Sequence, residues 1–299
     1  ILTELPPLID SSDLTSTHLS LALTTQIVRI HPALAERLES EIPIVPALLK
    51  LSISPILQGS ALNALQQCFR KLATSGVASL GVEQLLHLLL EPILSDSSPE
   101  GTLAIPKQAF TGLAKCIATL SALNGGGVIP LAQKFLADVE ADDSSESLKM
   151  ISLFVLGEIG RDIDMSQLGD IQTIISSAFS SSSENVKKAA AFSLGNVSAG
   201  NAALFLPGLI SEIRTQPAHG YLLLHALKEL VSCKASTPTG AQALITFVKE
   251  IWDLLFEYST AEDEGTRSVV AECIGRIVLV DAEKHLPELI RHLHSESSA

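Results

Sequence analysis

Three histidines near the end of the sequence form its densest group of possible zinc ligands. His285 and His292 are seven residues apart, so a helix places them on one face, whereas His294 points away from that face. A structural zinc ion takes four ligands, and no cysteine or carboxylate completes a plausible set around these histidines. We therefore interpret them as a surface cluster and predict no metal site.

Two further segments have compositions that could bind phosphate or calcium. Gly125-Gly-Gly127 is a three-glycine run, but no Lys-Ser or Lys-Thr pair follows it, as a phosphate-binding P-loop requires. The acidic segment 138–146 has Asp143 at the position where a calcium loop needs glycine, and Lys149 where it needs glutamate. A flexible joint and a solvated loop between helices are the favoured interpretations.

Nucleophilic and redox chemistry are equally poorly supported. The sequence has no Gly-x-Ser-x-Gly elbow, and no serine or cysteine has a histidine and an acid at a known catalytic spacing. The cysteines are separated by 48, 117 and 40 residues, which fits neither a metal pair nor a redox motif: Cys68, Cys116, Cys233 and Cys273. We predict reduced core thiols in a protein of the cytoplasm and nucleus, and no enzyme activity, cofactor or small-molecule substrate.

The charge balance excludes several classes of partner. The 299 residues include 20 Lys and Arg against 33 Asp and Glu, which gives a net charge of −13. Nucleic acids and anionic membranes attract clustered positive charge, so neither is an expected partner. Two uncharged stretches, 51–69 and 189–211, are interrupted by proline, glycine and asparagine, and each is therefore divided between two helices rather than spanning a membrane.

A repeated segment defines the elements that position any functional residue. Lys149–Gly157, Lys187–Gly195 and Arg267–Gly275 align without gaps, and in each a cation precedes a glycine by eight residues. Their separations are 38 and 80 residues, and Tyr221–Leu230 supplies the copy that the longer interval lacks. Weaker copies that keep the apolar spacing are Leu19–Val28, Ala61–Phe69 and Lys107–Ile117.

A second helical series alternates with the first. Apolar residues recur at i, i+3, i+4 and i+7 in both series, and the alternation typical of a strand is nowhere sustained. The members of the second series are Ile44–Ile53, Val82–Leu94, Ile129–Val139, Leu168–Phe179, Ala202–Ile213, Ala243–Tyr258 and His285–His294. Two helices in each unit of 38 to 48 residues is the pattern of a HEAT or armadillo solenoid.

We therefore predict an all-α, HEAT/armadillo-like α-solenoid superhelix of about seven helical-hairpin repeats. A single array is expected over residues 1–299, with approximate repeats at 1–40, 41–80, 81–124, 125–166, 167–200, 201–240 and 241–284 and a partial repeat at 285–299. Each interior helical glycine costs about 0.5 to 1 kcal/mol relative to alanine. The recurrence of Gly157, Gly195 and Gly275 therefore predicts that a neighbouring helix approaches closely at each.

Several segments are more specific than a general repeat pattern. They resemble the cullin-associated, neddylation-dissociated proteins, occur in that family's order and span nearly the whole chain. These segments are Leu5–Ile9, Ser54–Leu62, Leu156–Gly160 followed by Asp162–Ser166, Tyr221–Glu229 and Glu264–Cys273. The chain does not begin with methionine, and the resemblance implies an interior run of repeats from a much longer protein.

The resemblance implies a regulatory binding protein without catalysis. Members of that family wrap a cullin and its RING subunit, bind cullins that lack the ubiquitin-like modification, and promote exchange of substrate receptors in cullin-RING ubiquitin ligases. The alternative is a generic HEAT-repeat adaptor or a karyopherin-like carrier.

The second helix of each repeat, which is the one that contains the repeated segment, usually faces the concave side of such arrays. This position nominates a set of cations as partner contacts. A competing interpretation is that each cation pairs with acidic groups of the neighbouring repeat. The predicted contacts are Lys149, Arg161, Lys187, Lys228 and Arg267.

Overall fold

A computed structural model describes residues 2–94 and 105–296. Within these ranges all regular structure is helical and no strand is present, as the periodicity predicts. The chain divides into two compact units, 1–158 and 159–299, each a stack of helical hairpins of the HEAT/armadillo type. One continuous array over both units stays a prediction, as do the repeat boundaries, and the repeat at 81–124 includes residues 95–104 outside the described ranges.

Eight α-helices begin among the described residues of the first unit. They are α1 (Leu14–Ile30), α2 (Leu34–Ser40), α3 (Ile44–Ser52), α4 (Gly59–Ala73), α5 (Val82–Leu94), α6 (Ala109–Ser121), α7 (Val128–Glu140) and α8 (Glu146–Gly160). Helices α1, α4 and α6 pack side by side in one layer, and α3 and α5 pack against α6 from the other. The alternating series predicted from the sequence therefore correspond to two layers.

Local signals account for where these helices begin. The Asp13 carboxylate accepts hydrogen bonds from the amides of Thr15 and Ser16 at 3.0 and 3.1 Å, which satisfies two of the four unpaired donors at the start of α1. The predicted glycine joint lies between α6 and α7. Gly127 has φ of +88°, a left-handed conformation that residues with a Cβ rarely adopt, so glycine suits the turn into α7.

A further eight α-helices lie in the described part of the second unit. They are α9 (Ile171–Ser177), α10 (Glu184–Gly200), α11 (Ala202–Thr215), α12 (Gly220–Ala235), α13 (Pro238–Leu244), α14 (Val248–Tyr258), α15 (Glu264–Val280) and α16 (Ala282–Glu296). Helices α10, α12 and α15 form one layer. Helices α9 and α11 pack against α10, whereas α14 and α16 pack against α15. Asp263 caps α15 by accepting a hydrogen bond from the amide of Thr266 at 2.6 Å.

The cores of both units are largely aliphatic, and three of the four cysteines belong to them. Cys68, Cys116 and Cys273 are buried, and desolvation raises the pKa of each thiol to about 12. These three are therefore the core thiols expected from the sequence, whereas Cys233 is only half-buried. In the described ranges no helix is both long and apolar enough to cross a membrane.

Candidate protein-interaction surface

A groove between α10 and α12 is the clearest feature near the predicted contact residues. It has a volume of about 310 Å³ and combines aromatic, basic and acidic side chains. Its lining is Lys188, Ala191 and Phe192 from α10 and Tyr221, Leu222, His225 and Glu229 from α12. Aromatic residues are enriched at the centres of protein interfaces, and Tyr221 is 44% exposed in a chain with only two tyrosines. We call this set the α10–α12 groove.

Gly195 determines how closely the two helices approach. A Cβ at this position would overlap the carbonyl oxygen of Ala226 and lie 2.7 Å from the Cβ of Glu229. The close helix approach predicted at Gly195 is therefore confirmed. At Gly275 the same prediction is wrong, because a Cβ there would meet no side chain or neighbouring helix of the described residues within 4 Å. Among the described residues, α15 is the last helix of its layer, so no further helix of that layer reaches Gly275.

Arg161 lies at the α10 side of the groove. Its Nε donates a hydrogen bond to Oδ1 of Asn196 at 3.1 Å, and its guanidinium lies 5.9 Å from the centre of the Phe192 ring. Asn196 is buried and in turn donates to the carbonyl oxygen of Phe192 at 2.9 Å. A cation over an aromatic face at this distance contributes about 0.5 to 1 kcal/mol at exposed sites. The contacts therefore hold Arg161 beside a groove residue.

Lys228 connects the groove to α15. Its Nζ lies 3.2 Å from Oε1 of Glu229 and 4.0 Å from Oε2 of Glu272, and Arg276 binds Glu272 at 3.0 Å. Pairing with acidic groups of a neighbouring repeat, the competing interpretation of the cations, therefore applies to Lys228. Only 18% of its side chain is exposed, so a partner would contact the edge of this network rather than an isolated ammonium.

Two other predicted contacts support the starts of their own helices. Lys187 pairs with Glu184 at 2.7 Å in the first turn of α10. Arg267 donates to the carbonyl oxygens of Ala261 and Glu262, both at 2.7 Å, and so holds the loop that leads into α15. Surface pairs of this kind are typically worth less than about 1 kcal/mol. The recurring cation thus has a local structural role in these two repeats.

The last predicted contact, Lys149, lies in a different unit from the other four. It is half-buried near the start of α8 in the first unit. Within the second unit, Arg161 and Lys228 adjoin the α10–α12 groove through Phe192 and Glu229. The structure therefore brings two of the five predicted residues to one surface feature, and their role in partner binding stays a prediction.

Sequence reasoning missed the pair of rings on α12. Tyr221 and His225 are one turn apart and meet edge to face, with ring centres 4.7 Å apart. Burial lowers the pKa of His225, and the charge of Lys228 adds to this effect against opposition from Glu229 and Glu272. The lowered pKa favours the neutral form of His225. The i, i+4 spacing of two ring residues was the available signal.

The histidines near the end of the chain pack against aromatic rings. His285 is buried, its ring centre lies 4.9 Å from that of Trp252, and its Nδ1 is 3.6 Å from a carboxylate oxygen of Glu288. His292 stacks on Phe256 with ring centres 4.2 Å apart. The prediction of a surface cluster is therefore wrong for His285, because the helix packs this face against α14. In the described parts of the chain, no three His, Cys, Asp or Glu residues converge as a metal site.

The sequence of this chain is similar to those of one group of known proteins. Cullin-associated NEDD8-dissociated protein 1 of Drosophila melanogaster is 36% identical over 307 aligned residues, which include 99% of this chain. The Arabidopsis thaliana protein of that name is 35% identical over 97% of the chain, and protein 2 of Mus musculus is 33% identical over 98%. The chain is homologous to one segment of these proteins. The resemblance predicted from its sequence is therefore confirmed.

The homology covers a limited part of each relative. The chain spans 24% of the Drosophila protein and 23% of the Arabidopsis and mouse proteins. No protein-family model matches the chain. A designed armadillo repeat protein in complex with a (KR)4 peptide aligns with 92% of the chain and 99% of its own length, at 16% identity and a TM-score of 0.33.

Proposed function

We propose that this chain is a non-catalytic scaffold segment that binds a cullin and its RING subunit. In this proposal it binds cullin that lacks the ubiquitin-like modification, and so regulates cullin-RING ligase assembly and receptor exchange. The observation that carries the proposal is identity of 33 to 36% to cullin-associated NEDD8-dissociated proteins over at least 97% of the chain. The helical-repeat fold supports it, because stacked hairpins present long surfaces to a protein partner.

The α10–α12 groove is the part of the second unit that we propose contacts the partner. An exposed tyrosine, a half-buried phenylalanine and an arginine held over an aromatic ring occur together there. Tyrosine and arginine are the types that most often dominate binding energy at interfaces. Lys149, Lys187 and Arg267 remain predicted contacts outside this groove: Lys187 and Arg267 support the starts of their own helices, and Lys149 lies in the first unit.

A direct binding measurement tests this function. A purified cullin–RING complex is immobilised, and binding of the chain is measured by biolayer interferometry with the cullin unmodified or conjugated to NEDD8. We expect binding to the unmodified complex and at least about tenfold weaker binding to the conjugate, a difference of about 1.4 kcal/mol. Absence of binding to unmodified cullin contradicts the proposal. Binding of a nuclear GTPase to the chain in a parallel pull-down would also contradict it, because that is the behaviour of a transport carrier.

Matched charge reversals test the surface separately from the function. The double variant Arg161→Glu, Lys228→Glu should weaken cullin binding at least about tenfold. The control Lys249→Glu, Lys284→Glu changes two exposed cations of the same unit by the same total charge, and it should leave binding within about twofold. Circular dichroism confirms that both fold. Equal effects of the two variants would show that the groove is not part of the contact surface. They would not contradict the proposal that the chain binds a cullin.

We further propose that the protein acts in the cytoplasm and nucleus and does not bind nucleic acid, membranes or small-molecule substrates. Its net charge of −13 and its buried thiols support this assignment. Fractionation of cells followed by detection of the endogenous protein tests the location. Recovery in a secreted or membrane fraction would contradict it.

A further inference from the structure

A second groove, between α1 and α4 in the first unit, has a different chemical character. Its volume is about 490 Å³, and it runs along two parallel helices. At one end His18 Nδ1 donates to the carbonyl oxygen of Ser60 at 3.1 Å, and at the other lie Arg29 and Lys71. The residues of each pair are 42 positions apart, so the two helices run in register along the groove. We call this feature the α1–α4 groove.

The floor and walls of this groove suit an extended main chain. Ala22 and Ala64 line its middle, and their small side chains allow another backbone to approach the helices closely. Three exposed amide side chains, of Gln26, Asn63 and Gln67, also line the groove. Each amide has both donors and an acceptor, which are the groups that a peptide bond requires.

The length of the groove sets the size of its occupant. His18 and Arg29 are eleven residues apart on α1, which corresponds to about 16 Å along a helix. An extended chain advances about 3.3 Å per residue, so about five residues of a peptide fit between the two ends.

The charge of the groove is opposite to that of the molecule. Arg29 and Lys71 are cationic, and none of the described residues that line the groove is acidic, although the chain carries a net charge of −13. Throughout residues 2–94 and 105–296, neither cation lies within ion-pair distance of a carboxylate. In this respect they differ from Lys187 and Lys228. Both lie in the last turns of their helices, so the groove has its positive charge at one end.

We propose that the α1–α4 groove binds an extended acidic segment of a partner protein. The amides of Gln26, Asn63 and Gln67 pair with the main chain of that segment, and Arg29 and Lys71 pair with its aspartate or glutamate side chains. A nucleic acid fits less well, because two cations release few counterions and the negative charge of the protein repels a longer polyanion. The inference goes beyond the proposed function, since it specifies a ligand chemistry that does not depend on the partner being a cullin.

Fluorescence anisotropy of the intact chain with short labelled probes tests the proposal. The probes are fluorescein-labelled octapeptides of alternating Ser and Glu, alternating Ser and Gln, and alternating Ser and Lys, together with an octathymidylate. We expect the Ser–Glu peptide to bind at least about tenfold more tightly than the Ser–Gln peptide, and to weaken when NaCl is raised from about 50 to 500 mM. No binding of the Ser–Glu peptide, equal binding of the neutral one, or tighter binding of octathymidylate would each overturn the proposal.

Matched variants locate the binding on the structure. Arg29→Glu and Lys71→Glu should each weaken binding of the Ser–Glu peptide at least about fivefold, because attraction becomes repulsion. Arg70→Glu makes the same charge change beside Lys71 on an exposed residue that does not line the groove, and it should stay within about twofold. If circular dichroism shows that a charge-reversal variant does not fold, Lys71→Gln is measured instead. Its binding of the Ser–Glu peptide should weaken about twofold or more. Loss of binding in Arg70→Glu equal to that in Lys71→Glu would refute the assignment.

Discussion

The glycines at positions 195 and 275 occupy the same register of their repeats but have different surroundings. Gly195 is buried where α10 meets α12, whereas Gly275 is exposed on α15, and a Cβ added there would meet no side chain or neighbouring helix of the described residues within 4 Å. Substitution by alanine therefore adds the same methyl group to two helices of the same unit. We expect the two changes in the free energy of unfolding to have opposite signs.

The magnitudes follow from two competing effects. Alanine is favoured over glycine inside a helix by about 0.5 to 1 kcal/mol, so Gly275→Ala should stabilise the second unit by about that amount. In Gly195→Ala the new Cβ would lie 2.7 Å from the Cβ of Glu229, against about 3.4 Å for ordinary contact, and would also overlap the Ala226 carbonyl. Overpacking of this kind costs about 1 to 3 kcal/mol. Since backbone atoms cannot rotate away, overpacking should be near the upper end of that range, and we expect a net loss of about 2 kcal/mol after the helix preference is subtracted.

The single tryptophan provides the assay. Trp252 is buried in α14 of the same unit, so its fluorescence reports unfolding of the second unit in urea. Midpoints and slopes for wild type, Gly195→Ala and Gly275→Ala give the two free-energy differences. If Gly195→Ala is as stable as Gly275→Ala, the inferred contact between α10 and α12 is incorrect.

Two other predictions concern titrating groups. Burial lowers the pKa of His225 below its ordinary 6.5, so the unfolded chain binds a proton at a higher pH than the folded chain does. The free energy of unfolding should therefore drop between about pH 7 and 5 in wild type, and it should drop less in His225→Gln. Equal drops in the two proteins would contradict this prediction. Ellman's reagent at pH 8 should modify Cys233 first in the native chain and the other thiols only in denaturant, since the pKa of Cys68, Cys116 and Cys273 is raised to about 12. Rapid modification of more than one thiol in native protein, or an unchanged rate in Cys233→Ser, would count against it.

A residue that recurs in every repeat can serve the repeat's own structure or contact a partner, and the recurring cations illustrate the difference. Lys187 and Arg267 stand at equivalent positions, and both stabilise the start of their own helix through short-range contacts. In these two repeats the cation meets the same local need, which is support for the first turn of its helix. A partner contact needs no such recurrence, and Tyr221 and Phe192, which line the α10–α12 groove, were not nominated by the cation pattern.

The sequence alone determined the order and type of fourteen of the sixteen α-helices in the described ranges, whereas α2 and α13 have no counterpart in the two predicted series. Apolar spacing of 3.6 residues is a local property, and both predicted series, the glycine joint before α7 and the homology to cullin-associated NEDD8-dissociated proteins could be inferred from it and from the quoted segments. Burial of three cysteines likewise follows from their positions on apolar helix faces.

Only the tertiary structure decided which residues of neighbouring helices meet. The sequence separation between facing residues is 42 for His18 and Ser60 but 53 for Gln66 and Thr119. This separation varies because the connections between helices differ in length, so a uniform repeat period does not give the register of one helix against the next. Both grooves, the pairing of Lys228 and the different surroundings of Gly195 and Gly275 depend on that register, which side-chain packing between distant segments sets.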